Sequence, residues 1–493
     1  MSGDEASFAQ VGMWITERMG RAGSAYHMPL LIRLDGALDA CALIQACEAV
    51  IRRHPVLSSA VVEDDGLPVE VRGERPEVRV TTTGDLEALV RDETLRPFDV
   101  ERGPLARFTL VRVAAERHVL VFVAHHLVFD GESKDVLVRD LAAFYNGRTL
   151  PRLTMSYAGF AADERARVAG ELAAARAFWG ARWREPVAVR VPGLPEQERS
   201  GGQRRGAAVG RAYTFRAELP EVSDISRFEL FLASVQALLY SYGNVEPVCA
   251  IDVSTRTPAV RDNIGLFVNE LPVASRPSPD MSVVELARWL RGELREIYRF
   301  RVVPVARAVR GLRPRTALAG VSVSYRKRRE EPGFADLRTG VEWAAFNYSV
   351  RSLLHFQAVD TADGLFVTMQ YGSDSGSPDE APEVVRIAED LLTIMKNPDS
   401  SVSLDHRSAA SDPAPDLTGA IREIWQEVLG IDEIGDDEDL FDLGGHSLTI
   451  TQIIARMRKR LGIEVALDVF FDTPTIAGVV DAIRDSEPAV STT

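Results

Sequence analysis

The stretch VFVAHHLVFDGES, Val121 to Ser133, decides how the rest of the chain is read. It begins as an apolar run with β-branched residues, the pattern of a strand buried on both faces, and ends in the turn signal Asp130-Gly131. His125 and His126 therefore sit where a core strand runs out. Histidine, with an ordinary pKa of roughly 6.5, can take or give a proton near neutrality, and a buried strand end holds its ring at a fixed angle.

Working outward, RPFDVERGPLARFTLVRVAAERH reads as a loop and two strands joined by a short polar turn, Ala114 to Arg117. Ser133 reads as the N-cap of a helix whose Val136, Leu137, Leu141 and Phe144 form an apolar stripe. Nearer the start, a strand is expected from Met28 to Leu34, closing in a turn at Asp35-Gly36. Leu43, Ile44, Cys47, Val50 and Ile51 then recur at helical spacing after Asp39. This reads as a helix packed on a sheet.

At 493 residues the chain has room for two or three domains, each with a core. A net charge of −15 leaves no broad basic surface for nucleic acid. Cys41, Cys47 and Cys249 fit neither a metal-ligand spacing nor a disulfide framework, so reduced thiols in a core are expected, in a cytoplasmic protein with no metal. MSGDEASFAQ lacks the features of a signal peptide and no apolar run approaches the roughly 20 residues of a membrane span, so neither export nor a membrane is expected.

The segment from Gly193 to Gly210 is rich in Gly, Arg and Glu and reads as an exposed connection. The expected division is a first lobe over 1–185, a second over 186–395, a linker over 396–415 and a small domain over 416–487. The linker is polar, with Pro, Ser and Asp, and about 20 such residues span roughly 25 Å if flexible. The small domain reads as helices: LTGAIREIWQEVLG, then SLTITQIIARMRKRLG with Leu448, Ile453, Ile454, Met457 and Leu461 inward, then a final helix.

HHLVFDG matches HHxxxDG, the signature of the condensation domains of nonribosomal peptide synthetases, which the chain resembles. SFAQVGMW, RRHP and the Tyr157-Phe160-Ala161 segment resemble further motifs of that family, with His54 read as structural. IGLFVN, Ile264 to Asn269, is the second close match. The sixth motif is weak, with Val305-Ala306 where the family has phenylalanine and glutamate, and the seventh is not found. LGGHSL, Leu443 to Leu448, resembles the signature of a peptidyl carrier domain.

The resemblance implies an α/β fold of two chloramphenicol-acetyltransferase-like lobes in a V, followed by a small all-α four-helix carrier domain. It implies 4′-phosphopantetheine on Ser447, His126 as the catalytic residue, as general base or positioning group, and His125, Asp130 and Gly131 shaping the site. It implies Arg256 as the salt-bridge partner of Asp130, with Asn269 and Ser133 as second-rank site residues. The implied reaction joins a donor acyl group on an upstream carrier protein to the amine of an aminoacyl group on the chain's own carrier. With a linker where an adenylation domain usually stands, a trans-acting adenylation enzyme and a phosphopantetheinyl transferase are implied partners. Epimerization domains usually follow their carrier, and heterocyclization domains carry DxxxxD, absent here. Acyl transfer to a free amine or alcohol, and a non-catalytic platform recruiting tailoring enzymes, remain open readings.

Overall fold

The computed structural model describes residues 3–20, 22–185, 188–194, 208–312, 317–328, 331–372, 382–402, 417–431, 434–444, 447–461, 463, 465 and 469–486. The chain divides into two compact units, residues 1–404 and 405–493.

In the first unit a five-stranded sheet has the order Leu337–Glu342, His27–Gly36, Arg117–His125, Ala106–Ala114, Val78–Thr82. Its faces follow the two-residue period of a strand. Leu30, Ile32, Leu34, Leu120 and Phe122 point toward helices Ala40–Arg53 and Gly131–Tyr145, while Leu31, Val119, Val121 and Val123 lie on the other face against Leu86, Leu89 and Val90. The histidine strand is thus covered on both sides, as its unbroken apolar run requires.

A second, seven-stranded sheet runs Val268–Ala274, Val248–Ser254, Val321–Lys327, Leu354–Thr361, Gly364–Gly372, Ala208–Ala217, Ser349–Val350. Helices Arg227–Ser241, Val283–Tyr298 and Pro382–Lys396 build its core with Phe231, Leu238, Leu290 and Leu391 against Ile251, Phe356 and Met369.

Four expectations are corrected. The helix after the histidines is capped by Asp130, whose carboxylate accepts from the Ser133 N–H, so Asp130-Gly131 opens the helix and Ser133 lies inside its first turn. Both residues have the right chemistry for a cap, and the earlier one takes it. Strand Leu337–Glu342, from the stretch assigned to the second lobe, completes the first lobe's sheet by pairing with Leu31–Gly36. The start of the expected linker is bound to the first unit: the Val402 N–H donates to the Met281 carbonyl at 2.6 Å and the Val284 N–H to that of Pro398 at 3.0 Å. The remainder of that linker, 403–415, lies outside the described residues. Cys47 and Cys249 are buried free thiols, but Cys41 is exposed on its helix.

The second unit is helical: Leu417–Leu429, Ser447–Leu461, Val469–Asp472 and Ile476–Ser486. Ile421, Ile424 and Trp425 of the first helix meet Ile450, Ile453 and Met457 of the second, with Phe470, Ile476 and Val479 closing the core. Ile454 and Leu461 pack at its edge. Gly445, His446 and the side chains of Ser447 and Leu448 lie outside the described part. Among the described residues no helix is long and apolar enough to cross a membrane.

Trp425 is fully buried and stacks on Phe470 at 6.3 Å between ring centroids. Truncation of a buried aromatic costs about 3–5 kcal/mol, a large share of a small domain's stability. Trp425→Ala in the full chain is expected to lower or abolish the calorimetric transition of the small unit while the transition of the large unit stays in place.

Candidate active site

The Asp130 carboxylate is where the two lobes of the first unit meet. Its Oδ1 accepts from the Ser133 N–H at 2.7 Å and lies 2.8 Å from the Ser133 hydroxyl. The Arg256 guanidinium donates to the same oxygen at 2.9 Å, and the Phe267 N–H donates to Oδ2 at 3.0 Å. Burial alone would raise this carboxyl's pKa, but Arg256, Arg326 and the Ser133 hydrogen bonds outweigh it and hold Asp130 below the ordinary value. Arg256 is fixed in turn: it donates to the carbonyls of Val260 and Asn263 at 3.0 and 2.7 Å, lies over the Phe267 ring and pairs with Glu132 at 3.2 Å.

The loop that opens the IGLFVN stretch is stitched to the first lobe residue by residue. The Ile264 N–H donates to His54 Nδ1 at 3.2 Å, and the Gly265 N–H to the Ser133 hydroxyl at 3.1 Å. Tyr157 donates its hydroxyl to the Leu266 carbonyl at 2.9 Å. A Cβ at Gly265 would overlap the Tyr157 ring, so this approach requires glycine. His54 is structural in a definite sense. Because Nδ1 accepts, Nε2 carries the proton and donates to the buried Asp140 at 2.9 Å.

The two motif histidines have different surroundings. His125 is buried, accepts from the Leu127 N–H at 3.1 Å through Nδ1 and so donates from Nε2 to Glu17 at 3.0 Å. Both of its nitrogens are occupied. His126 is half-buried, and its Nδ1 has no hydrogen-bond partner among the described residues. Burial and the Arg351 charge, against the pull of Asp130 and Asp252, bring the imidazole down to about 4, so the ring is neutral at pH 7.

His126 faces a cavity of about 110 Å³ that is also lined by Gly131, Lys134, Asp252, Arg326 and His355. A Cβ on residue 131 would overlap the Arg326 guanidinium, so Gly131 is what admits that side chain. His355 hydrogen-bonds the hydroxyls of Ser322 at 2.7 Å and Ser324 at 3.2 Å, and burial brings it too down to about 4.

The structure therefore brings together His125, His126, Asp130, Gly131, Ser133 and Arg256. Asn269 stands apart. Its amide donates to the carbonyls of Arg301 and Val303, tying its strand to the 301–303 turn rather than facing the cavity. Sequence reasoning missed Glu17, which orients His125, and the polar wall of Lys134, Arg326, Arg351 and His355. Lys134 left a signal, since it shares a helical face with Gly131, Val138 and Leu141 and is a charge in an otherwise apolar stripe.

A family model for the condensation domain matches residues 5–405. The chain belongs to the condensation-domain family. A second model, for a phosphopantetheine attachment site, matches residues 419–483. A linear gramicidin synthase of Brevibacillus parabrevis is 28% identical over 445 residues, which cover 81% of this chain and 8% of that protein. The chain thus spans a small fraction of the length of that synthase. Among solved structures, the first condensation domain of the calcium-dependent antibiotic synthetase, in complex with a substrate analogue, superposes with a TM-score of 0.68. It has 19% identity and covers 81% of this chain and 98% of its own. The X-domain from teicoplanin biosynthesis has a TM-score of 0.66 and 22% identity, covering 82% of this chain and 97% of its own. These likenesses show the fold.

The attachment domain carries 4′-phosphopantetheine on serine, and Ser447 stands where that group fits. It is the first residue of the helix Ser447–Leu461, whose unpaired N–H groups suit a phosphate. Gly444, three residues before it, adopts a left-handed φ of +88° with open space where a Cβ would stand.

Replacing Arg256 with Met would leave Asp130 buried without its ion partner, a change that costs about 3–5 kcal/mol. Urea unfolding of the Arg256→Met protein at pH 7 is expected to show that loss. Because pairing lowers the folded pKa of Asp130, its stabilisation is complete above the ordinary value of 3.8 and is lost as pH falls through the folded value. The gap between wild type and variant should accordingly narrow in acid.

Proposed function

We propose that this condensation domain forms an amide between an acyl group delivered on an upstream carrier protein and the amine of an aminoacyl group held on the chain's own carrier domain. The observation that carries the proposal is the half-buried His126 ring, neutral at pH 7 and standing on the wall of a cavity. 4′-Phosphopantetheine on Ser447 supplies, when bound, the thiol that holds the acceptor as a thioester. In the reaction the acceptor nitrogen bonds to the donor carbonyl carbon, the donor C–S bond breaks, and the proton lost by nitrogen leaves with the sulfur.

His126 serves this reaction by accepting a hydrogen bond from the attacking amine and so aiming its lone pair. A ring brought down to about 4 is a weak base. Orientation is therefore the larger part of its contribution, and full removal of the proton by the ring the smaller. His125, held by Glu17 and Leu127, fixes the backbone from which His126 projects. Asp130, Ser133 and Arg256 hold the two lobes in register around it.

The family matches leave only residues 406–418 between condensation and carrier domains, which supports loading of Ser447 by a separate adenylation enzyme. A phosphopantetheinyl transferase would install the arm. Glu132, on the first turn of the helix Gly131–Tyr145, pairs with Arg256 at 3.2 Å.

The test follows the mass of the carrier domain in the phosphopantetheinylated, aminoacylated protein after adding a donor acyl-carrier. The expected gain equals the donor acyl group and falls at least a hundred-fold in rate in His126→Ala. Full turnover in that variant, or donor released onto a free amine or alcohol, would overturn the proposal. With acceptors whose amine is neutral throughout, the rate should show no His126 limb between pH 6 and 8 and should decline only as pH approaches 4.

A further inference from the structure

The cavity beside His126 carries more positive than negative charge, and the excess belongs to two residues. Of the four cations that line it, Arg351 faces Glu270, Asp252 and Tyr26. Arg328 is paired with Asp135 and stacked over Trp343. Lys134, only 4% exposed, donates to the carbonyls of Pro29 and Trp343 at 2.9 and 2.8 Å and has no ion pair among the described residues. The acidic groups that act on it are already engaged, Asp135 with Arg328 and Glu342 with Arg33. Arg326 lies across Gly131 without a hydrogen bond or ion pair among the described residues.

Burying a cation without an anion is costly, and Lys134 is buried in this way. Arg326 is half-buried on the same wall and feels the charge of Asp130, whose oxygens are already taken by Ser133, Arg256 and Phe267. Two carbonyls satisfy two of the three Lys134 donors, leaving one, and the Arg326 fork keeps its donors. Burial and the charges of Arg328 and Arg326 bring Lys134 down to about 7, the behaviour of an ammonium that lacks its counter-ion. A planar anion suits an arginine fork beside a lysine.

We propose that Lys134 and Arg326 form a binding site for a substrate carboxylate, so that the condensation domain selects an acyl or aminoacyl group bearing a free acid. The inference rests on the amide-forming reading for which substrate it concerns, but the site is testable without turnover. The carboxylate could sit on the donor or on the acceptor side chain, and the experiment has an arm for each.

The probes are succinyl-pantetheine and its neutral methyl ester for the donor, and aspartyl-pantetheine against asparaginyl-pantetheine for the acceptor. Binding to the full chain is measured by equilibrium dialysis, which needs no chemistry. One acidic probe is expected to bind at least ten-fold more tightly than its neutral counterpart. That ratio should fall near one in Arg326→Gln and in Lys134→Met, and Arg326→Lys should keep part of it. Unfolding midpoints check that each variant folds. If a variant fails to fold, the wild-type ratios still decide. Equal binding of acid and neutral probes in both pairs overturns the site, as does a ratio retained in both neutralised variants. Amide formation with neutral substrates and no acid preference would sink this inference alone. Acid-selective binding with no amide from any pair would sink the amide reading and leave the site standing.

Discussion

A single buried carboxylate holds the active site in register. Asp130 caps the helix that follows the histidines, accepts the arginine of the other lobe and accepts the amide of Phe267. Those three tasks tie together a strand end, a helix start and a loop from more than a hundred residues downstream. Charge-assisted bonds of this kind are strong because the ion has lost its water and the partners replace it. The carboxylate is therefore in its ionised form by construction. With His54, Ser133 and Tyr157 on the neighbouring backbone groups, the 264–267 loop has little freedom left.

Different surroundings separate the two motif histidines. The strand ends at His125 and His126 opens a short 3₁₀ turn, and the first ring is held inside the lobe while the second lines the cavity. His125 is consumed by Glu17 and the Leu127 amide, while His126 lines the cavity.

Legibility in the sequence followed the range of the forces. The histidine strand, the helix after Asp39 and the helical small unit were readable because hydrophobic period is a local property. Asp130 and Arg256, far apart in the chain, were paired only through family resemblance, and the structure places them at 2.9 Å. The choice of helix cap went the other way: Ser133 and Asp130 are both good caps, and only the loop from the second lobe shows that the serine hydroxyl is needed elsewhere. Asn269 was drawn into the site by its motif, but the carbonyls of the 301–303 turn, invisible to local pattern, claim its amide. Arg326 gave no signal at all, because what matters is the glycine it lies across.

The strand Leu337–Glu342 links synthesis of the chain to its architecture. It covers the edge of the strand His27–Gly36, so the first lobe's sheet stays open until the ribosome has produced most of the second lobe. An open edge with half its backbone groups unpaired invites pairing with other chains. The first lobe cannot mature ahead of the second as an ordinary N-terminal domain does. A nascent chain stalled between the histidine strand and residue 337 would expose that edge to chaperones and to other nascent chains.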